Sequence, residues 1–282
     1  MSDLTVFDGG VAVVTGAGAG LGEGLARRAA ELGMTVVVAD IDEARAQAVS
    51  SDIQAKGQSA VPIKVDVSKA EELDRLADWV HQNHGDVRLL VNNAGVETIG
   101  NSWELSADLW DRTLDINIHG VVHGVRAFLP RMIASGQKAF VANLASVGAF
   151  GQMPLQTAYI VTKHAVQSFS ECLYLELELK QTKVQVSSII PGMVKTRIFA
   201  DAKPTSDPLA AHHQGVMRNM MATYGMDLEE ACKVIFDQMA EGKFWVSTQP
   251  EMTKDIADNR ARFLIDMAAP TLTAETRGLL GV

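Results

Sequence analysis

Two residues whose types and spacing could carry acid/base chemistry are Tyr159 and Lys163. They stand four positions apart in a long stretch after Thr157 that contains no glycine or proline, so on a helix they share one face, one turn apart. A free tyrosine has a pKa of about 10 and is a poor base at neutral pH, but a neighbouring ammonium group favours its phenolate. Because many helices carry a Tyr and a Lys at this spacing, the pair needs support from elsewhere in the chain.

Ser146 provides that support. It closes the apolar run Val141–Ser146, which predicts a strand. Ligands of open parallel sheets bind in the crevice outside the carboxyl ends of the strands. A serine there most often caps a helix or forms a turn. Together with Tyr159 on the following helix, it could act as a second donor to a substrate oxygen.

A glycine-rich turn, Thr15–Gly22, joins the first predicted strand to the first predicted helix. Glycines in such a turn let backbone N–H groups and a helix N-terminus approach a pyrophosphate. The glycines fit the spacing G-x-x-x-G-x-G through Gly16, Gly20 and Gly22, and not G-x-G-x-x-G. Close packing of a strand on a helix would also select small residues, so the turn alone leaves both interpretations open.

Asp40 favours the nucleotide interpretation. It ends the second predicted strand, where an acid accepts hydrogen bonds from the ribose hydroxyls of a dinucleotide. A carboxylate there repels the 2′-phosphate of NADP, and the neighbours Ala19 and Ile41 carry no compensating charge. The sequence therefore predicts NAD(H) as the cofactor.

Short apolar runs alternate with longer helical stretches along the chain. The predicted strands are Val11–Thr15, Thr35–Ala39, Ala60–Val65, Leu89–Asn92, Lys138–Asn143, Val184–Ile190 and Phe244–Ser247. The predicted helices are Leu21–Leu32, Glu43–Lys56, Ala70–His84, Ala107–Ala134, Thr157–Lys180 and Leu228–Glu241. This alternation predicts an α/β fold with one Rossmann-type, doubly wound parallel sheet of about seven strands and helices on both faces.

The chain is expected to form one dinucleotide-binding and catalytic domain over residues 1–249 and a helical tail over residues 250–282. Residues 195–226 do not follow the alternation of strands and helices. They are expected to form a partly helical insertion, which we call the excursion. This excursion carries Met217, Met220, Met221 and Met226 with Phe199 and Leu209. These side chains could line a pocket for a bulky apolar substrate or pack on their own domain. Glu97 and Gln152 could add polar contacts, although each is more often a surface residue.

The charge and composition exclude several other classes of protein. The net charge of −9 argues against nucleic acid or an anionic membrane as a partner. No apolar run approaches the roughly 20 residues that span a bilayer, and Met1–Gly10 does not resemble a signal peptide, so we expect a cytoplasmic protein. Cys172 and Cys232 show no pairing or ligand spacing. They are expected to be reduced thiols in or near the core, and no bound metal is expected.

Taken together, these motifs resemble the short-chain dehydrogenase/reductase family from Gly10 to about Ser247. The motifs are Thr15–Gly22, Asp66 with Val67, Asn92-Asn93-Ala94-Gly95, Asn117, Ser146 with Tyr159 and Lys163, and Pro191-Gly192-Met193-Val194-Lys195-Thr196. The string Gly120–Arg126, the string Phe128–Met132 and the tail also resemble a bacterial subgroup that includes lignin-derived aryl alcohol (Cα) dehydrogenases.

The resemblance implies hydride transfer between NAD(H) and a small-molecule secondary alcohol or ketone. Tyr159 would exchange a proton with the substrate oxygen, Ser146 would orient that oxygen, and Lys163 would hold the nicotinamide ribose and lower the pKa of the tyrosine. Asn117 would hold a water between Lys163 and solvent. Cofactor contacts are expected at Gly16, Gly18, Gly20, Leu21, Asp40, Ile41, Asp66, Val67, Asn93, Ala94, Gly95, Tyr159, Lys163, Pro191, Gly192, Val194 and Thr196. For Asn92, a cofactor contact and a structural role stay equally open.

Two further expectations concern the whole chain. A non-catalytic NAD-binding regulatory protein is the main alternative, and the intact set Ser146, Tyr159, Lys163 and Asn117 argues against it. A homodimer or homotetramer is expected, because the two long helices carry more apolar residues than one buried stripe requires. These residues are Val122, Val125, Phe128 and Leu129 on one helix and Phe169, Leu173, Leu175 and Leu179 on the other.

Overall fold

Seven parallel strands form one sheet in the computed structural model, which describes residues 2–203 and 206–282. The strands are β1 Val11–Thr15, β2 Thr35–Asp40, β3 Ala60–Lys64, β4 Val87–Asn92, β5 Ala139–Leu144, β6 Val184–Ile190 and β7 Trp245–Ser247. Their order across the sheet is β3-β2-β1-β4-β5-β6-β7. The order reverses between β1 and β4, so a crevice opens at the carboxyl ends of these two strands. The single parallel sheet confirms the predicted fold.

Helices connect the strands, and two more follow β7. Their bounds are α1 Gly20–Glu31, α2 Glu43–Ala55, α3 Ala70–Asn83, α4 Ala107–Leu114, α5 Gly120–Ala134, α6 Thr157–Leu179, α7 Pro208–Tyr224, α8 Leu228–Ala240, α9 Pro250–Ile265 and α10 Ala274–Leu280. In the part of the chain that the structure describes, no helix combines the length and the apolar character needed to cross a membrane.

The core lies in two layers, one on each face of the sheet. Helices α1, α2 and α8 cover one face, where Phe7, Phe140 and Phe236 pack ring against ring. Helices α3, α5 and α6 cover the other face around Phe128 and Leu173. Both faces of the strands are buried, which explains why the strand sequences are nearly continuous apolar runs.

The structure differs from the sequence expectations in the long fourth helix. The stretch Ala107–Ala134 is helical throughout, but a five-residue π-helical turn, Asp115–His119, separates α4 from α5. Such turns insert one extra residue into the helical repeat and are frequent at functional sites. Here the turn carries Asn117.

Fewer apolar residues of α5 and α6 are exposed than the sequence predicts. Val125, Phe128, Leu129 and Leu173 are buried within the chain, and the expectation that they remain uncovered is wrong. This burial follows from α5 and α6 packing against β4, β5 and the helix α3. Leu175 and Leu179, by contrast, are 62% and 80% exposed.

The two cysteines are free thiols, as expected, but they lie in different surroundings. Cys232 is buried against Gly24, where α8 meets α1. Cys172 is exposed on α6, so the expectation of a thiol in or near the core is wrong for this residue.

Candidate active site

A cleft of about 750 Å³ lies at the carboxyl edge of the sheet. Its walls bring together predicted site residues from seven separate segments of the chain. They are Gly16, Gly20, Leu21, Asp40, Ile41, Asp66, Val67, Asn93, Ala94, Gly95, Ser146, Tyr159, Lys163, Pro191, Gly192, Val194 and Thr196. Two other predicted residues, Gly18 and Asn117, lie behind the wall and act on it through hydrogen bonds.

The glycine-rich turn is fastened to the segment that follows β4. Asn93 donates its side-chain amide to the carbonyls of Thr15 and Gly16, at 2.9 and 3.1 Å. The Thr15 hydroxyl accepts from the backbone N–H groups of Asn93 and Ala94. Gly16 has a φ of +62°, and a Cβ there would lie 2.8 Å from the Cα of Ala94. The turn therefore has one conformation, for which glycine is required.

The start of α1 fits a pyrophosphate. Its N-cap residue, Ala19, has no side-chain acceptor for the first N–H groups of the helix. At Gly22, a Cβ would overlap the Gly16 carbonyl oxygen, so the helix approaches the turn as closely as glycine permits. These N–H groups and the positive end of the helix dipole face the cleft, as a bound phosphate requires.

Asp40 lies at the end of β2 beside the turn. One carboxylate oxygen accepts from the Gly18 N–H at 2.7 Å, and the other accepts from the Asp42 N–H at 2.9 Å. Each oxygen keeps a lone pair for a ribose hydroxyl. Arg45, in the first turns of α2, also lines this part of the cleft. Its guanidinium group pairs with Asp42 at 3.2 Å and lies 3.9 Å from Asp201.

Asp66 and Val67 also line the cleft at the end where Asp40 lies. The Asp66 carboxylate accepts from both the N–H and the hydroxyl of Ser68, so it closes a tight turn after β3. Val67 packs against Gly120, where a Cβ would lie 2.9 Å from a valine methyl group. The position suits a flat, apolar adenine ring.

Asn92 does not line the cleft. It is buried and donates to Asn143 at 2.9 Å, and Asn143 in turn donates to the Ser170 hydroxyl at 3.1 Å. The side-chain oxygen of Asn92 packs against Gly124. Of the two interpretations left open, the structure therefore supports a role in fastening β4 to β5 and α6.

Ser146 and Tyr159 face each other across the opposite end of the cleft. Ser146 follows β5 and accepts from the Gly148 N–H at 3.1 Å, which fixes its hydroxyl oxygen. Tyr159 lies in the first turn of α6 and lines the same cleft as Ser146. The two hydroxyl groups are thus placed to share one substrate oxygen.

Lys163 lies one turn further along α6 and is buried. It donates to the Leu144 carbonyl at 2.7 Å, and its ammonium nitrogen lies 5.4 Å from the centre of the Tyr159 ring. Burial lowers the pKa of Lys163 to about 8, although the nearby Glu97 carboxylate opposes that shift. Two of its three N–H donors remain for a ligand.

Burial raises the pKa of Tyr159 above its usual range, and the Glu97 carboxylate raises it further. The Ser146 hydroxyl acts in the other direction. In the protein without a cofactor, desolvation of the phenolate therefore outweighs the effect of the Ser146 hydroxyl. The lowering of this pKa by Lys163 with the cofactor bound stays a prediction.

Asn117 connects the two halves of the site. Its side-chain oxygen accepts from the Val96 N–H at 2.8 Å, and its amide donates to the Val96 carbonyl and to the Thr162 hydroxyl. Thr162 in turn donates to the Tyr159 carbonyl at 2.6 Å. Asn117 therefore ties the segment after β4 to the helix that carries the tyrosine. Its predicted role in holding a water stays a prediction.

Glu97 is buried in the wall of the cleft, so its interpretation as a surface residue is wrong. Burial raises its pKa to about 8. Gln152 is exposed, and another amide, Gln156, contacts Glu97 instead. The sequence did not identify Gln156, because the polar residue just before a helix ordinarily caps it.

The segment Pro191–Thr196 is held over the cleft from the side of the tail. Gln249 accepts from the Met193 N–H at 2.7 Å and donates to the Met193 carbonyl at 3.2 Å. The Gly192 N–H donates to the Thr248 hydroxyl. Gln249 and Arg45 are two site residues that the motifs did not indicate. Neither residue lies, along the sequence, at a spacing from its contact residues that is typical of a motif.

Of the four methionines in the excursion, Met221 lines the cleft. Met217 packs beside the buried residues Phe199, Met221 and Leu280 in an apolar cluster. Helix α10 thus returns from the tail onto α7 and supports the substrate end of the cleft. The tail contains the helices α9 and α10, and Met267 lies beyond α9 and is exposed.

Comparisons with known proteins agree with this architecture. The family model described as short chain dehydrogenase matches residues 10–207. A short chain dehydrogenase/reductase from Burkholderia phymatum, solved in complex with NAD, is 33% identical, with a TM-score of 0.88 over 94% of this chain and 97% of that one. A metagenomic short-chain oxidoreductase, solved in complex with NADP, is 32% identical, with a TM-score of 0.63 over 67% of this chain and 85% of that one.

A curated relative, "Probable oxidoreductase EphD" of Mycobacterium bovis, is 36% identical over 220 residues. The match covers 76% of this chain but 37% of the length of that protein. The match to the family model covers most of the chain, and the fold is that of the solved relatives. This protein therefore belongs to the short-chain dehydrogenase/reductase family of oxidoreductases.

Proposed function

We propose that this protein transfers a hydride between NAD(H) and a secondary alcohol or ketone, with Tyr159 as the general acid/base. One observation carries the proposal. Ser146, Tyr159 and Lys163 line the same cleft as the glycine-rich turn and Asp40. A dinucleotide that lies on the turn would therefore extend towards a hydroxyl pair able to hold a carbonyl oxygen.

The residues of the site have separate roles in the proposed reaction. Bound nicotinamide would supply or accept the hydride and, when oxidised, would add a positive charge to the cleft. In ketone reduction, Tyr159 donates its proton to the carbonyl oxygen while the Ser146 hydroxyl donates a hydrogen bond to the same oxygen. Lys163 would hold the ribose of the cofactor with its two remaining N–H donors. In alcohol oxidation, the phenolate of Tyr159 accepts the hydroxyl proton.

NAD(H) is the proposed cofactor because Asp40 stands where a 2′-phosphate would lie. The carboxylate would repel the negative charge of that 2′-phosphate. Arg45 could attract a phosphate, but its guanidinium group is already paired with Asp42. The Burkholderia phymatum relative that was solved with NAD supports the same choice.

The proposed substrate has a bulky apolar or aromatic body. Val96, Ile198 and Met221 line the substrate end of the cleft, and buried apolar residues stand behind Met221. Such a wall offers dispersion contacts and no polar partner to most of the substrate.

A panel of aromatic and aliphatic secondary alcohols with NAD at alkaline pH tests the proposal. The expected result is an increase in NADH absorbance, and the matching ketones should consume NADH at neutral pH. Binding of NAD without turnover of any alcohol or ketone would contradict the proposal and favour the regulatory alternative.

A further inference from the structure

Glu97 is a buried acid on the cleft wall that the proposed mechanism does not use. It is 3% exposed, and it lines the same cleft as Ser146 and Tyr159. Its charge acts on both Tyr159 and Lys163, which places it beside the reacting groups. Burial of a carboxyl group costs free energy unless its oxygens find partners.

Two amide groups fix the direction of this carboxyl group. One oxygen accepts from the Thr98 N–H at 3.0 Å, and the other accepts from the Gln156 side chain at 2.8 Å. Because burial raises the pKa of Glu97 to about 8, its carboxyl group is largely protonated at neutral pH and also carries one O–H donor. After these two bonds, the group can therefore still accept from and donate to a ligand hydroxyl group.

The Gln156 side chain also contacts a third residue. Its amide oxygen lies 3.2 Å from Nε2 of His213, which is fully buried on α7. Burial lowers the pKa of His213, so its ring is neutral. Gln156 is thus held between a buried imidazole and the carboxyl group of Glu97.

This arrangement links three parts of the chain to one carboxyl group. Glu97 follows β4, Gln156 precedes α6, and His213 belongs to the helix that bounds the substrate end. Val96, Ile198 and Met221 contribute apolar side chains to the same cleft. An oriented carboxyl group beside apolar side chains is the arrangement that selects one polar group on an otherwise apolar ligand.

We propose that Glu97 binds a second hydroxyl group of the substrate, so that the substrate is a diol or a hydroxy ketone with an apolar body. The inference rests on the function proposed above and names its substrate class. An ammonium group is disfavoured as the donor, because Lys163 in the same cleft would repel it. A neutral hydroxyl group donates to the carboxyl group without that repulsion.

Matched substrates test the proposal on the whole protein. The probes are phenylpropanol with a secondary hydroxyl group and the phenylpropanediols that add a second hydroxyl group to the same carbon skeleton. We expect kcat/KM of the wild type to be at least about tenfold higher for one of the diols. Glu97→Leu should abolish that preference, so that the ratio of kcat/KM for the diol to kcat/KM for the mono-alcohol falls to about one. The effect of Glu97 on the pKa of Tyr159 acts on both substrates alike and cancels in this ratio.

Two variants accompany this measurement. Glu104→Leu removes an exposed acid from the same connection and should leave both substrates unaffected. Glu97→Gln keeps the size of the side chain but replaces one carboxyl oxygen, which can accept, with an NH₂ group that cannot. It should also lower the ratio of kcat/KM for the diol to kcat/KM for the mono-alcohol, and it serves if Glu97→Leu does not fold.

The outcomes separate this proposal from the one on which it rests. A wild type that turns over the mono-alcohol and the diols equally well would overturn the role of Glu97 and leave the proposed function standing. An equal loss for both substrates in the Glu97 variants would also overturn it, because a merely structural role predicts that result. A wild type that turns over no alcohol or ketone would overturn both proposals.

Discussion

At the scale of single residues, the surroundings of Tyr159 keep its hydroxyl protonated. Burial and the Glu97 carboxylate both raise the pKa of the phenol. A protonated phenol is ready to donate to a carbonyl oxygen, whereas the phenolate needed for alcohol oxidation forms at higher pH. The two directions of the proposed reaction should therefore differ in their dependence on pH.

The first prediction follows from the raised pKa of Tyr159. A raised pKa leaves less phenolate at neutral pH, so the rate of alcohol oxidation should increase steadily from neutral pH to about pH 10. Ketone reduction uses the protonated form and should not increase over the same range. Initial rates in both directions, with saturating cofactor, check this. An oxidation rate that is highest below neutral pH would contradict the assignment.

Asp40 carries the second prediction. The wild type should show a higher kcat/KM with NAD than with NADP, because the carboxylate repels the 2′-phosphate. The variant Asp40→Ala with Ile41→Arg should shift the preference towards NADP by about a hundredfold or more, since it removes the repulsion and adds a phosphate partner. Asp52→Ala, which changes an exposed acid on α2, is the control. Equal kcat/KM values for the two cofactors in the wild type would contradict the prediction.

At the scale of elements, the site depends on how closely α1 approaches the turn after β1. Gly22 and Gly215 provide a matched comparison. A Cβ at Gly22 would overlap the Gly16 carbonyl, whereas a Cβ at Gly215 on α7 would meet no atom within 4 Å. Both glycines lie inside helices, so the same substitution separates packing from helix propensity.

The third prediction uses this pair. Gly22→Ala should lower the free energy of unfolding by about 2–3 kcal/mol, because the methyl group forces the helix away from the turn. Gly215→Ala should raise it by about 0.5–1 kcal/mol, because alanine loses less conformational entropy in a helix. Urea unfolding of both variants measures the difference. A Gly22→Ala protein as stable as the wild type would show that the turn tolerates the extra atom.

The sequence predicted the alternating strands and helices and the site residues at the ends of strands. Asp40 and Ser146 were predictable because parallel strands bring their carboxyl ends to one edge. The set formed by Glu97, Gln156 and His213 was not, since its contacts span more than fifty residues and depend on how α6 and α7 pack. Arg45 was missed for a similar reason, because its approach to the cleft depends on how α2 packs beside the turn.

At the scale of the whole molecule, the exposed apolar residues of α6 bear on assembly. The buried Val125, Phe128, Leu129 and Leu173 no longer argue for an oligomer, but Leu175 and Leu179 remain exposed. The tail does not cover them, since α9 packs on the turn Val147–Ala149 at the other end of α6. Pairing of α6 with its copy across a two-fold axis would bury both leucines.

The fourth prediction is therefore a dimer or tetramer in solution. Light scattering at micromolar concentration should give about 60 or 120 kDa, against 30.3 kDa for one chain. Leu175→Glu with Leu179→Glu should shift the mass towards that of one chain, because like charges would face each other across the axis. A wild type that runs as a single chain would contradict this prediction.

The central claim is that Tyr159 exchanges the proton with the substrate, and Tyr159→Phe tests it most directly. The substitution removes one hydroxyl group and little volume. We predict that kcat with NAD and the best alcohol of the panel falls by about three orders of magnitude or more, while the dissociation constant for NAD stays within about threefold of the wild-type value. A variant that keeps more than about a tenth of the wild-type kcat would contradict the account.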